Sequence, residues 1–167
     1  MKQISITLKI CLVILAGTIV FSSCKKNDIN ESSYTAENEL LVINAWKKQM
    51  KSEKVNFDST ASKIYYIMDT TKVGSGPKVT SGNTVTVNYT GSYLDGTLFD
   101  FSNNYTYVHK GADQRMITGW EEAIELLNKG SRGAFLIPSS LAYGPYGYYA
   151  IPPYSPLLFT IEIVDIK

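Results

Sequence analysis

One helical segment in a chain that otherwise alternates like a sheet constrains the fold most. Residues 116–130 read MITGWEEAIELLNKG, with Trp120, Ala123, Ile124 and Leu127 at i, i+3, i+4 and i+7, which puts them on one face of a helix. Thr118 stands where an N-cap would, and Glu121 three residues later would complete a capping box. Glu122 and Glu125 lie toward the positive end of the helix dipole. Lys129 falls in the expected last turn and Gly130 just past it, where a C-terminal glycine belongs. Everything else after residue 63 reads as strand or loop. A single short helix with a tryptophan in its first turn is what a sheet would wrap around. The plain alternative is that Trp120 is core and nothing more.

The strands are legible by period 2. Residues 63–68 (KIYYIM) form one, and 74–77 (GSGP) a turn. Residues 84–90 (TVTVNYT) alternate strictly, with Val85, Val87 and Tyr89 on one face. Asp95-Gly96 marks a hairpin turn. Residues 132–137 place Gly133, Phe135 and Ile137 together, and residues 158–164 place Phe159, Ile161 and Ile163 inward. Between them, residues 141–153 (LAYGPYGYYAIPP) have too many glycines and prolines for a strand and too much aromatic surface for an idle linker.

The N-terminal part has a different character. Residues 1–23 read as a removable leader: Lys2 and Lys9 supply the charged region, and residues 10–21 an apolar run too short to span a bilayer. Phe21-Ser22-Ser23-Cys24 then resembles a bacterial lipoprotein signal, with cleavage before Cys24 and lipidation of that residue. An ordinary signal peptide leaving a free cysteine is the alternative. Lys25, rather than Asp, argues against inner-membrane retention in a cell with two membranes, so the expected address is the cell envelope, at an outer membrane facing periplasm or surface. Residues 24–34 form a polar tether. Residues 35–62 contain a helix over 37–51 and a polar linker over 52–62. Thr35 is its expected cap, and Leu40, Leu41, Ile43, Ala45, Trp46 and Met50 its apolar face. Such a helix is too short to stand alone in water. Docking, dimerisation, packing on its own domain and lying on a membrane all remain open for it.

Composition excludes several chemistries. The formal charge of +1 offers no basic surface for nucleic acid. Cys11 leaves with the leader, so the domain has no internal disulfide to lean on. The lone histidine, His109, has no cysteine partner and is expected as a surface or loop residue. No Cys/His cluster offers a metal site, no phosphate loop precedes a helix, and the acids are scattered. What remains is aromatic surface, including 12 tyrosines. A concave site lined this way suits an apolar or proline-containing ligand.

The motifs Val87-Asn88-Tyr89-Thr90-Gly91, Asp95-Gly96-x-x-Phe99-Asp100, Ile117-Thr118-Gly119-Trp120-Glu121, Ala142-Tyr143-Gly144, Ile151-Pro152-Pro153 and Leu158-Phe159 occur in this order. In order and spacing the chain over 63–167 resembles the FKBP-type peptidyl-prolyl isomerases. The resemblance implies an α+β fold: a strongly curved antiparallel sheet wrapped around one short helix, preceded here by the N-terminal helix. It implies a pocket with Trp120 as floor and Tyr89, Phe99, Tyr105, Tyr107, Met116, Ile117, Tyr143, Ile151 and Phe159 as walls. Asp100 is the rim carboxylate, bonded to Tyr89 or its neighbours, and Tyr148 joins the substrate contacts. In the family, the backbone N–H at the position of Ile117 and the phenol at that of Tyr143 bind ligand carbonyls. No cofactor is implied. The implied partners are proline-containing polypeptides and the family's macrolide inhibitors. Three departures stand out: one extra residue between Gly111 and Trp120, a shorter and tyrosine-rich 146–150 stretch, and Tyr105 and Tyr107 where Phe is usual.

Isomerisation needs no nucleophile. The twisted amide is less polar than the planar one, so a dry apolar pocket favours it. A proline-peptide binding or chaperone module, and a membrane-anchored assembly part, are the competing readings.

Overall fold

The computed structural model describes residues 34–112 and 116–167. The expected leader, the lipidation site Cys24 and the tether up to residue 33 lie outside the described residues. Six strands form one antiparallel sheet: β1 (Asp58–Ser59), β2 (Tyr65–Met68), β3 (Thr84–Ser92), β4 (Leu98–Val108), β5 (Arg132–Ile137) and β6 (Leu157–Ile166). Their spatial order is β1-β2-β5-β6-β3-β4. Helix α1 (Ala36–Ser52) precedes the sheet, and α2 (Thr118–Glu125) lies between β4 and β5.

The alternation read from the sequence sorts side chains to two cores. On one face, Trp120, Ala123, Ile124 and Leu127 meet Val85, Val87, Phe135, Ile137, Phe159, Ile161 and Ile163. One eight-residue helix touches four strands, so the sheet has to curve around it. Bulges sharpen that curvature: the β3–β4 register slips between Val87 and Tyr89, and the β3–β6 register between Thr86 and Val87. Gly119 lets the helix approach β5, because a Cβ there would lie 2.3 Å from Ile137 Cγ2.

The opposite face is covered by α1. Ile43, Trp46 and Met50 bury against Ile67, Leu136 and Leu158. Each such burial contributes on the order of 1.5–3 kcal/mol, which is how a helix too short for water is held. Of the options open for this helix, packing on its own domain is the one found. Leu40, Leu41 and Ala45, expected on its apolar face, are exposed instead. Thr35 caps α1 as expected, its Oγ1 accepting from Asn38 N at 3.2 Å. Glu39 accepts from both the Ser139 amide and hydroxyl, each at 2.6 Å, tying α1 to the turn that leaves β5. The segment read as linker also takes part: β1 pairs with β2, and Phe57 packs on Trp46 at 5.4 Å between ring centroids.

Helix α2 departs from its expected ends. Thr118 is its first residue, not its cap; Ile117 is the N-cap, and no side chain caps it. The capping box fails because Glu121 turns to His109 instead. The helix stops at Glu125, before Lys129, because the following backbone is captured elsewhere. Lys129 N donates to Pro77 O, and Asn128 Nδ2 to Gly76 O. Gly130 keeps a positive φ of 87°, but its N–H goes to Ile163 O on β6.

Candidate active site

The helix presents Trp120 to the concave face, 1% exposed. Tyr89 from β3 and Phe159 from β6 meet it edge to face, with centroids at 5.0 and 5.2 Å and planes at 80° and 83°. Phe99 from β4 stands at 87° to Phe159, 5.6 Å away, and Tyr105 at 80° to Tyr89, 6.1 Å away. Edge-to-face contacts bring the positive ring edge to the negative face, so these rings hold one another's orientation. Gly91 makes this possible: a Cβ there would lie 2.7 Å from the Phe99 ring and 2.9 Å from that of Phe159.

The polar groups are few. Tyr89 Oη donates to Asp100 Oδ2 at 2.7 Å. Burial, then the Asp100 carboxylate, pushes the Tyr89 phenol far above its usual range. Trp120 Nε1–H donates to Tyr107 Oη at 2.9 Å, so the floor's own donor is satisfied inside the protein. Burial raises the Tyr107 phenol as well, and burial first, then Tyr148 and Asp100, raises that of Tyr143. Raised in this way, these phenols stay protonated near neutral pH and are available as hydrogen-bond donors, not as bases. The site can desolvate, position and donate hydrogen bonds.

Most residues expected from the sequence come together here. Met116, Ile117, Tyr143 and Ile151 pack, partly buried, against the same core as the rings. Ile117 is the helix N-cap, its carbonyl accepting from Trp120 N and Glu121 N. Tyr148 stacks on Tyr143 at 5.0 Å and 9° but is 55% exposed, which places it at the rim. Tyr146 and Tyr149 project into solvent, 90% and 94% exposed.

His109 corrects part of the sequence reading. It lies in the turn after β4, as a loop residue would, but it is fully buried and not on the surface. Its Nδ1 faces Glu121 Oε2, and its Nε2 lies 3.0 Å from Glu125 Oε1. Lys110 Nζ meets the same Glu125 oxygen at 2.7 Å. The signal was present: Tyr105 and Tyr107 share one face of β4, His109 follows two residues later in the turn, and Glu121 and Glu125 are one helical turn apart.

Residues 76–164 match the family model described as FKBP-type peptidyl-prolyl cis-trans isomerase. The chain belongs to that family. Among FKBP-type relatives, FkpA of Aeromonas hydrophila is 36% identical over 77% of this chain and 45% of its own length. Outer membrane protein MIP of Legionella longbeachae is 36% identical over 62% of this chain and 43% of its own. The chain thus spans less than half the length of these curated relatives. A crystal structure of a peptidyl-prolyl cis-trans isomerase from Pseudomonas syringae pv. tomato superposes with a TM-score of 0.65 at 28% identity, covering 80% of this chain and 96% of that one. The α+β architecture, with a curved antiparallel sheet on one short helix, is therefore an FKBP fold.

Proposed function

We propose that this protein isomerises Xaa-Pro bonds of polypeptides outside the cytoplasm. The observation that carries this reading is the ring box of Trp120, Tyr89, Phe159 and Phe99, closed by the Tyr89–Asp100 bond. Rotation about the prolyl bond crosses a barrier of roughly 20 kcal/mol, because amide resonance is lost on the way. In the twisted state the peptide is less polar, and an apolar box prefers it to the planar amide. Proline would sit on Trp120, with its flanks against Phe99, Tyr105, Met116 and Ile151. The Ile117 N–H and the Tyr143 phenol would hold client carbonyls, so that rotation is confined to one bond. Asp100 fixes the Tyr89 ring. No proton moves and no cofactor takes part. Macrolides of the kind that inhibit this family would compete for the same box.

Turnover of a short Xaa-Pro peptide by the form starting after Cys24 tests the reading. Complete absence of turnover by a folded protein overturns it in favour of a binding module. Losses among variants are graded under this mechanism. Asp100→Ala lowers kcat/KM by about 10- to 100-fold, or roughly 1.4–2.8 kcal/mol. Tyr143→Phe costs less, since the ring stays and one ligand hydrogen bond goes. Abolition of turnover by Asp100→Ala in a folded protein points to proton transfer and sinks the desolvation mechanism.

The address proposed is the cell envelope, through a lipid on Cys24. The leader pattern supports it, and one relative is named an outer membrane protein. Cys24→Ser is expected to release the protein from the membrane fraction while leaving isomerisation of a short peptide unchanged. A variant that pellets with membranes at the wild-type level removes Cys24 as the anchor.

A further inference from the structure

Beside the ring box lies a second concavity of ≈ 450 Å³ between the start of α1, the β3–β4 turn and the loop before β6. Tyr34, Val42, Tyr93, Leu94, Pro152 and Pro156 line it. Asp95 at its lip is the only charged residue among the described residues of its lining. The third wall belongs to a stretch, residues 133–161, without a single charged side chain. Val42 is 45% exposed on the same helix that buries Ile43 and Trp46. It belongs to neither buried cluster of the domain.

The groove is continuous with the ring box. Tyr93 forms the ridge between them: its ring contacts Phe99 at 5.3 Å, and its hydroxyl donates to Ala150 O at 3.0 Å, next to Ile151. From Phe159 the path runs over Phe99 to Tyr93 in two ring contacts. That is on the order of 10 Å, about three residues of extended chain. Resting on the isomerase reading, we infer that the groove is a flanking subsite of the same client polypeptide. It takes a large apolar side chain about three residues from the proline, and it brings α1 into client recognition. Clients are then selected as extended, uncharged apolar segments around proline.

The test uses the full chain and three synthetic peptides: a proline tetrapeptide, and two ten-residue peptides with central proline carrying either Leu or Ser at the third residue on each side. Wild type is expected to turn over the Leu peptide about tenfold better in kcat/KM than the Ser peptide, the discrimination one apolar pocket gives. Val42→Glu and Tyr34→Ser are expected to erase that preference while leaving tetrapeptide turnover within about twofold of wild type. Equal turnover of the Leu and Ser peptides by wild type, or an undiminished preference in both variants, overturns the subsite. A wild-type dimer that Val42→Glu dissociates, with the preference intact, assigns the groove to a second copy and also overturns it. Failure of wild type on the tetrapeptide overturns the isomerase reading first and the subsite with it.

Discussion

Replacing Trp120 by alanine is expected to cost both the fold and the reaction. The indole is 1% exposed and touches the rings of Tyr89 and Phe159 at 5.0 and 5.2 Å. Truncating a buried aromatic in such packing costs roughly 3–5 kcal/mol. At about 2–4 °C per kcal/mol for a chain of this size, Tm falls on the order of 10 °C. The Tyr107 hydroxyl also loses the indole N–H it accepts. Activity goes further down than stability accounts for, because the cavity admits water where the twisted amide needs a dry surface. Trp120→Leu separates the two effects. It keeps an apolar floor without an indole, so it is expected to regain part of the lost stability and to show measurable turnover at a temperature where it is folded. Thermal melts beside kcat/KM for both variants check this. Equal activity in wild type, Trp120→Leu and Trp120→Ala, all folded, places the chemistry elsewhere than on this floor.

The rings of the site were legible because strand alternation and helical period are local properties. Val85, Val87 and Tyr89 on one face and Trp120, Ala123, Ile124 and Leu127 on another needed only periods of 2 and 3.6. Three features were not legible, each for a stated reason. The position of α1 depends on which outer-face residues the sheet leaves apolar. Leu136 and Leu158 lie between inward residues and look like buried-strand filler until a helix is found on them. The end of α2 was misread because Lys129 and Gly130 satisfy the rules for a helix C-terminus. Strand-like contacts with Gly76 and Pro77 outcompete that continuation. Glu121 likewise satisfied the capping-box pattern, but a fully buried imidazole is a stronger claimant for a carboxylate than an amide at a solvated helix end.

That imidazole supports the last expectation. His109 lies two residues beyond Tyr107, in the turn that follows β4, and has no solvent exposure. Both ring nitrogens face carboxylate oxygens, and each contact is favourable only if that nitrogen donates. Among the described residues, His109 Nδ1 and Glu121 Oε2 have no hydrogen-bond partner apart from this mutual contact. Glu125 is better provided, since Lys110 and then His109 hold its carboxyl below the ordinary glutamate range. That part of the stability is present above the unfolded glutamate pKa and is lost as pH falls through the lowered folded one. His109→Ala therefore strands Glu121 in particular. Removing one partner of a buried charged pair costs about 3–5 kcal/mol. Swapping both partners for apolar residues of similar volume is often neutral, so His109→Leu with Glu121→Met is expected within about 1–2 kcal/mol of wild type, read by urea unfolding. A double variant as unstable as His109→Ala assigns the loss to packing and removes the charge argument. A single variant as stable as wild type shows that the pair contributes nothing. The pair also bears on the site, because the turn that carries His109 directly follows the strand that carries Tyr107, the acceptor for Trp120. If the pair fixes α2 against β4, the Trp120 emission maximum shifts to longer wavelength in folded His109→Ala and returns toward the wild-type value in the double variant.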